Sequence, residues 1–427
     1  MNLNADQQAA VTHIFENEST YLIGPMGSGK TGVTLTAIDE LMAGEHIARV
    51  LVVAPKRVCT DVWPAEAKKW GLDRLNVAVA TGTPAQRTKI FNSPANIVCI
   101  SFELLPWLFK ETRLWQSFDM LVIDELTKLK AGGAGFKALR GKLNHFDVRV
   151  GMTGTPVSEN FEGLFYQVFA VDGGRSFGKN KMAWLEMYFY PTDFNNYNWE
   201  IRHDMAPALI SAFKHLVVSL PGYTAELPAL TDTIVAVEHC RTDEYNDMTR
   251  TFIAEGVHAA NAAVMTGKLQ QLASGFLYDD GGDTYDIHYL KQDALQALLS
   301  RYAGAPVVVV YQFEAERTRL LTTPNVHIYT TDELDQWRAA ADGVLMLHPR
   351  SAGHGVDLTR SSVMIFMSPV WSRDLTEQTK ARIYRRGQTS ACHVYTLIGA
   401  DTIDVDIVAR VEGKSAHHAL LLGHLKG

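Results

Sequence analysis

The segment GPMGSGKT, residues 24–31, constrains this chain more than any other stretch of its sequence. It fits the pattern G-x-x-x-x-G-K-[ST], lies at the end of the apolar run TYLIG and precedes a stretch with helical periodicity. Glycines let such a loop turn its backbone N–H groups onto phosphate oxygens, while the lysine adds positive charge and the hydroxyl a ligand for Mg²⁺. The start of the following helix also favours an anion. We therefore predict that ATP and Mg²⁺ bind here, through Gly24, Gly27, Ser28, Gly29, Lys30 and Thr31.

A second, acidic strand end is needed to hold the metal ion, and the run DMLVIDEL supplies one. Asp124 is predicted to hold Mg²⁺, directly or through water, together with Thr31. Glu125 is predicted to polarise the water that attacks the γ-phosphate. The alternative is an acidic cap at a strand end, which is common in α/β proteins; the phosphate loop makes us favour the catalytic role.

Short apolar runs alternate with amphipathic stretches in two separate parts of the chain, which is the order expected of βα units that build a parallel sheet. The first five runs begin at Thr20, Ala48, Asn96, Asp119 and Arg149, and five more begin at Ala305, Asn325, Gly343, Ser362 and Cys392. Residues from about 160 to 285 are richer in aromatic and mixed polar residues, and we interpret them as helical insertions plus a linker. The predicted fold class is α/β, with one domain over residues 1–215 and a second over residues 216–427.

Composition excludes several classes of protein. With 427 residues, 47% of them hydrophobic and 20% charged, the chain is typical of a globular protein with two or three domains. Its four cysteines form no CxxC pair, so neither a disulfide framework nor a zinc ribbon is indicated. The first residues lack the pattern of a secretion signal, and no apolar run reaches the ~18 residues of a membrane span. We therefore expect a cytoplasmic protein.

The formal net charge of −7 argues by itself against a nucleic-acid partner, but a whole-chain sum hides local fields. Between residues 360 and 393 the basic side chains outnumber the acidic ones: Arg360, Arg373, Lys380, Arg382, Arg385 and Arg386 stand against Asp374 and Glu377. Such a segment predicts a modest phosphate footprint, and hence salt-sensitive and largely sequence-independent DNA binding.

The segment EQTKARIYRRGQT, residues 377–389, carries several of these basic residues. If it is helical, Gln378, Arg382 and Arg385 share one face, and Gly387 marks the end of the helix. An ATPase can use arginines from a partner domain to stabilise transition-state charge, which is worth about 10³ to 10⁵ in rate. The alternative is a solvated basic face, which is what most charge runs are.

Two loops of small polar residues are candidates for phosphate contacts. In MTGTPVSEN, residues 152–160, the hydroxyls suit a hydrogen-bonded relay between the nucleotide site and a neighbouring domain, and a plain tight turn is an equal alternative. In HPRSAGHGVDLT, Ser351 and Thr359 can approach phosphates of nucleic acid or nucleotide, because glycines open the loop. His348 and His354 lack the spacing of metal ligands, and we interpret them as non-ligands.

Taken in order, these segments resemble the motifs of the superfamily 2 helicase-like ATPases, most closely the Swi/Snf-type double-stranded DNA translocases, in a compact form such as phages encode. LNADQQAAV resembles the Q motif, GPMGSGKT motif I, VVAPKRVCTDVWPAEAKKW motif Ia, CISFELL motif Ib and DELTKLK the DEAH-like box. MTGTPVSEN resembles motif III, VVVVYQFEAER motif IV, HPRSAGHGVDLT motif V and QTKARIYRRGQT motif VI. The resemblance covers essentially the whole chain. It implies two tandem RecA-like domains with small helical insertions between them, and ATP bound at the interdomain cleft.

The resemblance also implies roles for individual residues. Gln7 matches the adenine-reading glutamine, and Arg382 and Arg385 match the arginine fingers. Further nucleotide contacts are implied for Gly355, Asp357 and Gln378. Contacts with the DNA backbone are implied for Lys56, Arg57, Ser101, Thr155, Ser351 and Thr359. The sequence departs from the family pattern in motif II, where Thr127 replaces a histidine, and in motif V, which reads HGVD in place of G-x-G-L-N.

The predicted function is an ATP-dependent DNA motor, a DNA-dependent ATPase that acts on double-stranded or branched DNA in replication, recombination or repair. Duplex tracking without strand separation is what the resemblance implies, and unwinding is the near alternative. A nucleotide-gated DNA-binding switch with little turnover and a P-loop kinase are alternatives of other classes. We expect a monomer without a membrane partner, acting in a bacterial or phage-infected cytoplasm, with replication or recombination proteins as candidate partners.

Overall fold

The computed structural model describes residues 3–157, 161–221, 227–352 and 356–412. The chain forms two compact units that divide between residues 223 and 224. Each unit contains a parallel β-sheet flanked by helices, which confirms the predicted α/β class with two RecA-like domains. Within the described ranges, no helix combines the length and the apolar character needed to cross a membrane.

The first unit alternates strands and helices along most of its length. Its strands are β1 (Ser19–Ile23), β2 (Val50–Ala54), β3 (Val77–Val79), β4 (Ile97–Ser101), β5 (Met120–Asp124), β6 (Val148–Thr153), β7 (Phe189–Pro191), β8 (Trp199–Ile201) and β9 (Val217–Ser219). Its helices are α1 (Ala5–Glu16), α2 (Lys30–Ala43), α3 (Trp63–Lys69), α4 (Pro84–Phe91), α5 (Ala134–Leu139), α6 (Leu164–Asp172), α7 (Lys181–Tyr188) and α8 (Ala206–Phe213).

The first sheet has the strand order β3-β4-β2-β5-β6-β1-β9, and all of its neighbouring strands are parallel. Its central strands are short aliphatic runs buried on both faces, as expected when helices cover a parallel sheet. Successive residues of β5 therefore enter different cores: Leu121 and Ile123 pack on one face, Met120 and Val122 on the other. Because β5, β6 and β1 are neighbours, the loops that follow these strands meet at one edge of the sheet.

The second unit repeats this architecture with a different sheet. Its strands are β10 (Leu230–Val237), β11 (Ile253–Ala254), β12 (Val257–His258), β13 (Phe276–Tyr278), β14 (Thr284–Asp286), β15 (Pro306–Val310), β16 (Ile328–Tyr329), β17 (Gly343–Leu347), β18 (Val363–Phe366) and β19 (Cys392–Gly399). Its helices are α9 (Asp243–Thr251), α10 (Ala262–Ala273), α11 (Leu290–Arg301), α12 (Glu314–Leu321), α13 (Leu334–Ala339), α14 (Pro349–Ala352) and α15 (Arg373–Lys380). Residues 403–412 are also helical.

The second sheet is parallel throughout, in the order β10-β19-β18-β15-β17-β16. The segment between α10 and α11 is fixed to this sheet's helices by Arg319 of α12. Its guanidinium donates to the carbonyl oxygens of Ser274, Gly275 and His288 and to the carboxylate of Asp286. One buried guanidinium thus donates to several backbone carbonyls of this segment.

All ten strands predicted from apolar runs are present, but three strands of the two sheets were not predicted. β3 has three residues, and β10 is an edge strand with exposed and half-buried residues, so neither gives a continuous apolar run. β9 pairs with β1, which places the division between the units a few residues beyond the expected boundary at 215–216. The stretch expected to hold helical insertions also contains the hairpins β7–β8, β11–β12 and β13–β14.

Candidate nucleotide site

The carboxyl edge of the first sheet brings together three of the predicted segments. The phosphate loop follows β1, the acidic pair ends β5, and the threonine turn ends β6. Asp124 lies opposite Met152 in the ladder of β5 and β6, and Ile23 lies opposite Thr153 in the ladder of β1 and β6. The N–H of Gly24 donates to the carbonyl of Thr153 at 3.1 Å, so the loop and the turn are directly bonded.

Glycines give the phosphate loop its shape. Gly27 and Gly29 have φ values of 80° and 87°, in the left-handed region that side chains with a Cβ disfavour. Gly29 is constrained a second time, because a Cβ there would lie 2.4 Å from Nε2 of Gln7. That Nε2 donates to the carbonyl of Ser28 at 3.0 Å, so the predicted adenine-reading Gln7 lies against the phosphate loop.

Lys30, the first residue of α2, directs its ammonium back into the loop. Its Nζ donates to the carbonyls of Gly24 at 2.5 Å and Pro25 at 3.1 Å. Burial lowers the pKa of Lys30, although the carboxylates of Asp124 and Glu125 oppose that shift. A phosphate drawn to this ammonium would relieve the desolvation of the charge.

The loop also holds a buried hydroxyl without a partner. Ser28 is 2% exposed, and its Oγ has no hydrogen-bond partner. A Cβ on Gly24 would lie 2.5 Å from this oxygen, so the space beside it exists only because residue 24 is glycine. An unsatisfied buried hydroxyl in a glycine-lined loop beside an ammonium fits a phosphate group.

Asp124 is held by a residue whose role the sequence did not indicate. Its Oδ2 accepts a hydrogen bond from Nε1 of Trp63 at 3.0 Å, and Trp63 is fully buried at the start of α3. Burial raises the pKa of Asp124, while the Trp63 hydrogen bond and the charge of Lys30 oppose that rise. Mg²⁺ favours one or two carboxylates completed by phosphate oxygens and water, so Asp124 beside a phosphate loop fits this ion. Among the described residues, no cluster of three or more His, Cys, Asp or Glu side chains could hold a metal by itself.

Glu125 has an uncommon backbone conformation and a fixed carboxylate. Its φ is 80°, which is rare for a residue with a Cβ, and its N–H donates to the carbonyl of Met152 at 3.0 Å. Its Oε1 accepts hydrogen bonds from Oγ1 of Thr127 at 2.5 Å and from Oγ1 of Thr153 at 3.4 Å. Burial and the charge of Glu125 raise the pKa of Tyr21 well above its ordinary value. The threonine that replaces the family's histidine therefore contacts the predicted general base.

The residues predicted to contact DNA in the first unit differ in accessibility. Lys56 and Arg57 are exposed at the turn that follows β2, with both side chains available to an anion. Thr155 is half-buried, and its N–H donates to Oγ1 of Thr153. Ser101 is only 8% exposed at the end of β4, so little of it is available for a backbone contact. The accessible cations therefore lie in the segment after β2.

The segment 377–389, whose helical form would place Gln378, Arg382 and Arg385 on one face, is helical only up to Lys380, so that shared face is not formed. α15 ends at Lys380, and the chain continues in turns with Arg382 N–H bonded to the carbonyl of Thr379 and Ile383 N–H to that of Lys380. The chain bends because Ile383 is fully buried in the core of the unit. Gln388 then closes the segment, donating through Nε2 to the carbonyls of Thr359, Ser361 and Ile383.

Arg382, Arg385 and Asp357 nevertheless influence one another electrostatically, although no helical face brings the two arginines together. Arg382 is 1% exposed, and burial lowers its pKa to about 10, with a further lowering by Arg385 and an opposing effect of Asp357. Arg385 is half-buried. Burial alone would raise the pKa of Asp357, but hydrogen bonds from Thr359 and the charges of Arg385 and Arg338 outweigh it, so the pKa is lowered.

The other predicted residues of this unit have mixed outcomes. Gln378 is half-buried on α15, and the hydroxyl of Thr359 donates to Asp357 at 2.7 Å. Gly355, His354 and the side chain of Ser351 lie outside the described residues.

The local charge count overstated the positive charge available to DNA. Arg360 donates both ends of its guanidinium to the carbonyls of Trp337 and Ala340 and stacks on the Trp337 ring. Lys380 forms an ion pair with Asp232, and Arg382 is buried. Three of the six basic residues counted in the sequence thus serve the second unit itself.

Two further residues that support the site were missed by sequence reasoning. Gly32 lies in α2 directly against Trp70, and a Cβ there would lie 2.3 Å from the indole ring. Trp70 is fixed by donating from Nε1 to Glu66 at 2.9 Å. No signal in the sequence marked Trp63 or Gly32, because each contacts a residue that is distant along the chain.

Comparisons with known proteins found the following similarities. The model of the SNF2-related domain family matches residues 7–270. Putative protein p41 of Acyrthosiphon pisum secondary endosymbiont phage 1 is 28% identical over 450 residues, which cover 98% of each chain. Chromodomain-helicase-DNA-binding protein 8 of Danio rerio is 20% identical over 97% of this chain, and this chain spans 18% of that protein. The solved Sulfolobus solfataricus SWI2/SNF2 ATPase core in complex with dsDNA aligns over 99% of this chain and 95% of its own, with 18% identity and a TM-score of 0.47.

Proposed function

Because this chain belongs to the SNF2-related domain family, we propose that it is a DNA-dependent ATPase that couples hydrolysis to movement along double-stranded or branched DNA. The family match extends from the Q-motif segment into α10, and Arg382 and Arg385 of the second unit are the arginine fingers that we propose on the resemblance. A kinase would leave that second α/β unit without a role.

One observation carries the hydrolytic part of this proposal. At the edge formed by β1, β5 and β6, the charges of Asp124 and Glu125 act on the half-buried ammonium of Lys30. Glu125 is held in place by hydroxyl groups, which a simple acidic strand cap does not need. A cation for the phosphates, an acid for a metal and an acid for a water molecule are the three groups that ATP hydrolysis uses.

The roles of the chain's own residues follow from their contacts. Gly27, Gly29 and the N-terminus of α2 orient backbone N–H groups towards the phosphates, and Lys30 leaves its carbonyl partners to pair with them. Glu125 accepts a proton from the attacking water. Mg²⁺, bound through Asp124 and Thr31, would neutralise the charge on the β- and γ-phosphate oxygens.

The second unit contributes Arg382 and Arg385 to this reaction in the proposed cycle. Their positive charge stabilises the charge that spreads over the transferred phosphoryl oxygens. Arg385 is the more accessible of the two, so we assign it the direct contact. Arg382, 1% exposed beside it, keeps the local potential positive. Gln378, Gly355 and Asp357 remain proposed nucleotide contacts.

DNA is the proposed track. Support comes from the family, from the printed name of the chromodomain-helicase-DNA-binding relative and from the exposed cations Lys56 and Arg57. Backbone phosphates are the proposed partners of these two cations and of hydroxyls at Ser101, Thr155, Ser351 and Thr359. Since three of the six basic residues counted between residues 360 and 393 are engaged or buried within the second unit, we expect binding to depend only moderately on salt. We propose that the protein works as a monomer in the cytoplasm of a phage-infected cell, given its phage relative.

The decisive experiment measures ATP hydrolysis by the full chain with duplex, single-stranded and forked DNA, alongside triplex displacement and strand separation. We expect duplex DNA to stimulate hydrolysis and a third strand to be displaced while the duplex stays paired. If no nucleic acid raises the rate, the motor function is wrong. If forked DNA is unwound but no triplex is displaced, the protein is a helicase and not a duplex translocase.

A further inference from the structure

We infer that Thr127 and Thr153 are positioning residues that hold the carboxylate of Glu125 through hydrogen bonds from their hydroxyls to its Oε1. The inference rests on the proposed hydrolysis, in which Glu125 is the general base, and it explains how that base is oriented. Neither threonine contacts the reacting atoms. Both act through Glu125.

The two hydroxyls have little choice of acceptor. Thr127 is 7% exposed and Thr153 is 1% exposed, so neither hydroxyl can rely on bulk water. Thr127 Oγ1 lies 2.5 Å from Glu125 Oε1, which is the short distance expected of a hydroxyl bonded to a carboxylate. Thr153 Oγ1 lies 3.4 Å from the same oxygen and also accepts the N–H of Thr155 at 3.2 Å. A single hydroxyl can accept one bond and donate another, so both contacts form together.

The hydrogen bonds from Thr127 and Thr153 to Oε1 of Glu125 form a clamp on this carboxylate. The backbone around Glu125 makes the clamp rigid. The turn Leu126–Leu129 follows Glu125 directly, and the Lys128 N–H donates to the Glu125 carbonyl at 3.0 Å. Leu126 and Leu129 are buried in the core, which fixes the position of Thr127 between them. The left-handed conformation of Glu125 then aims its side chain back towards Thr127 and the end of β6.

The clamp has two chemical consequences. Hydrogen bonds donated to a carboxylate favour its ionised form, which is the form that accepts a proton. They also restrict the rotation of the carboxylate, which matters because a general base must be in hydrogen-bond reach of the water. Because the Thr153 carbonyl is bonded to Gly24 of the phosphate loop, one end of the clamp is tied to the nucleotide loop.

The test compares variants that remove a hydroxyl with variants that keep it. Thr127→Val preserves the shape of the side chain without the donor, and Thr127→Ser preserves the donor without the methyl group. Thr153→Val and Thr153→Ser do the same at the longer contact. Thr20→Val is the matched control, because Thr20 is equally buried in β1 but its hydroxyl meets Nδ1 of His13.

We expect Thr127→Val to lower the DNA-stimulated kcat by about ten- to a hundredfold, the value of a hydrogen bond to a charged group. Affinity for a fluorescent ATP analogue should stay within about twofold, because the phosphate loop and Lys30 are unchanged. Thr127→Ser should restore the rate. Thr153→Val should act in the same direction more weakly, and the double variant should lose less than the product of the two single losses.

Two results would overturn the inference. One is Thr127→Val with the rate of the unmodified chain; the other is Thr127→Ser as impaired as Thr127→Val, which would assign Thr127 to packing. If Thr127→Val does not fold, Thr153→Val decides by the same criteria. Absence of hydrolysis in the unmodified chain would instead refute the proposed function, so the two failures are distinguishable.

Discussion

The phosphate loop of the first unit and the arginine turn of the second were both predicted from residue spacing, and only the loop has the predicted geometry. In the loop the backbone itself is the ligand, and Gly27 and Gly29 dictate its conformation locally. In the turn the conformation depends on distant packing, because Ile383 enters the core and Gln388 bonds carbonyls on another segment. Residue spacing therefore predicts the backbone conformation where local dihedral preferences determine it. Where distant packing determines the conformation, spacing predicts only which residues lie near one another.

Replacing Arg385 by Ala is the strongest test of the turn's proposed role. If Arg385 stabilises transition-state charge, kcat should fall by about 10³ or more, while nucleotide affinity changes little. Because the side chain is half-buried, the apparent unfolding temperature should move only slightly. DNA-stimulated hydrolysis and thermal unfolding of the same preparation measure both quantities.

Arg386→Ala is the matched control, since Arg386 is the next residue and is exposed. Equal losses from both substitutions would mean that the turn contributes general positive charge and not a specific contact. Unchanged kcat in Arg385→Ala would exclude Arg385 as the arginine that stabilises the transition state.

Replacing Glu125 by Gln tests the nucleotide site of the first unit. Without a base the rate should fall by about 10² to 10⁴, and ATP binding should remain because Lys30 and the loop are intact. Glu66→Gln is a suitable control, since Glu66 lies in the same unit and bonds Trp70 but not the nucleotide loop. Turnover at the unmodified rate would exclude Glu125 as the base. Full biological activity with no turnover would favour the nucleotide-gated switch.

The sequence predicted the phosphate loop of the first unit and most of its strands, because β-branched runs and a glycine-rich loop are local signals. It did not predict β10, because polar residues on this edge strand interrupt the apolar run, nor β9, which is only three residues long. It also missed the supporting contacts of Trp63 and Gly32, since a partner sixty residues away leaves no periodic trace. The charge count failed for a related reason: Arg360 and Lys380 are engaged by acceptors that are distant in the sequence.

Replacing Trp63 by Phe keeps a buried ring and removes the donor to Asp124. We expect Mg²⁺ to be bound about ten- to a hundredfold more weakly, the usual cost of losing a partner of a metal ligand. The pKa of Asp124 should rise further, because the hydrogen bond opposes the effect of burial. A Mg²⁺ titration of ATPase activity at several pH values measures both effects, and the loss should be larger at lower pH.

Trp70→Phe controls for this change, since it removes an indole hydrogen bond to Glu66 and not to Asp124. If both variants need the same extra Mg²⁺, the effect comes from packing around α3. A normal Mg²⁺ requirement in Trp63→Phe would show that Asp124 is positioned by its strand alone.

The smallest expected effects come from the same substitution in a helix of each unit. Gly32→Ala in α2 should destabilise the chain by about 1 to 3 kcal/mol, because a Cβ would lie 2.3 Å from the Trp70 ring. Gly267→Ala in α10 meets no atom within 4 Å and should stabilise it by about 0.5 to 1 kcal/mol, the ordinary gain of replacing a helical glycine. Calorimetry of the intact chain should therefore show unfolding temperatures that move in opposite directions. Shifts of the same sign would mean that α2 tolerates a side chain against Trp70. Close packing behind the phosphate loop would then not be the reason for glycine at residue 32.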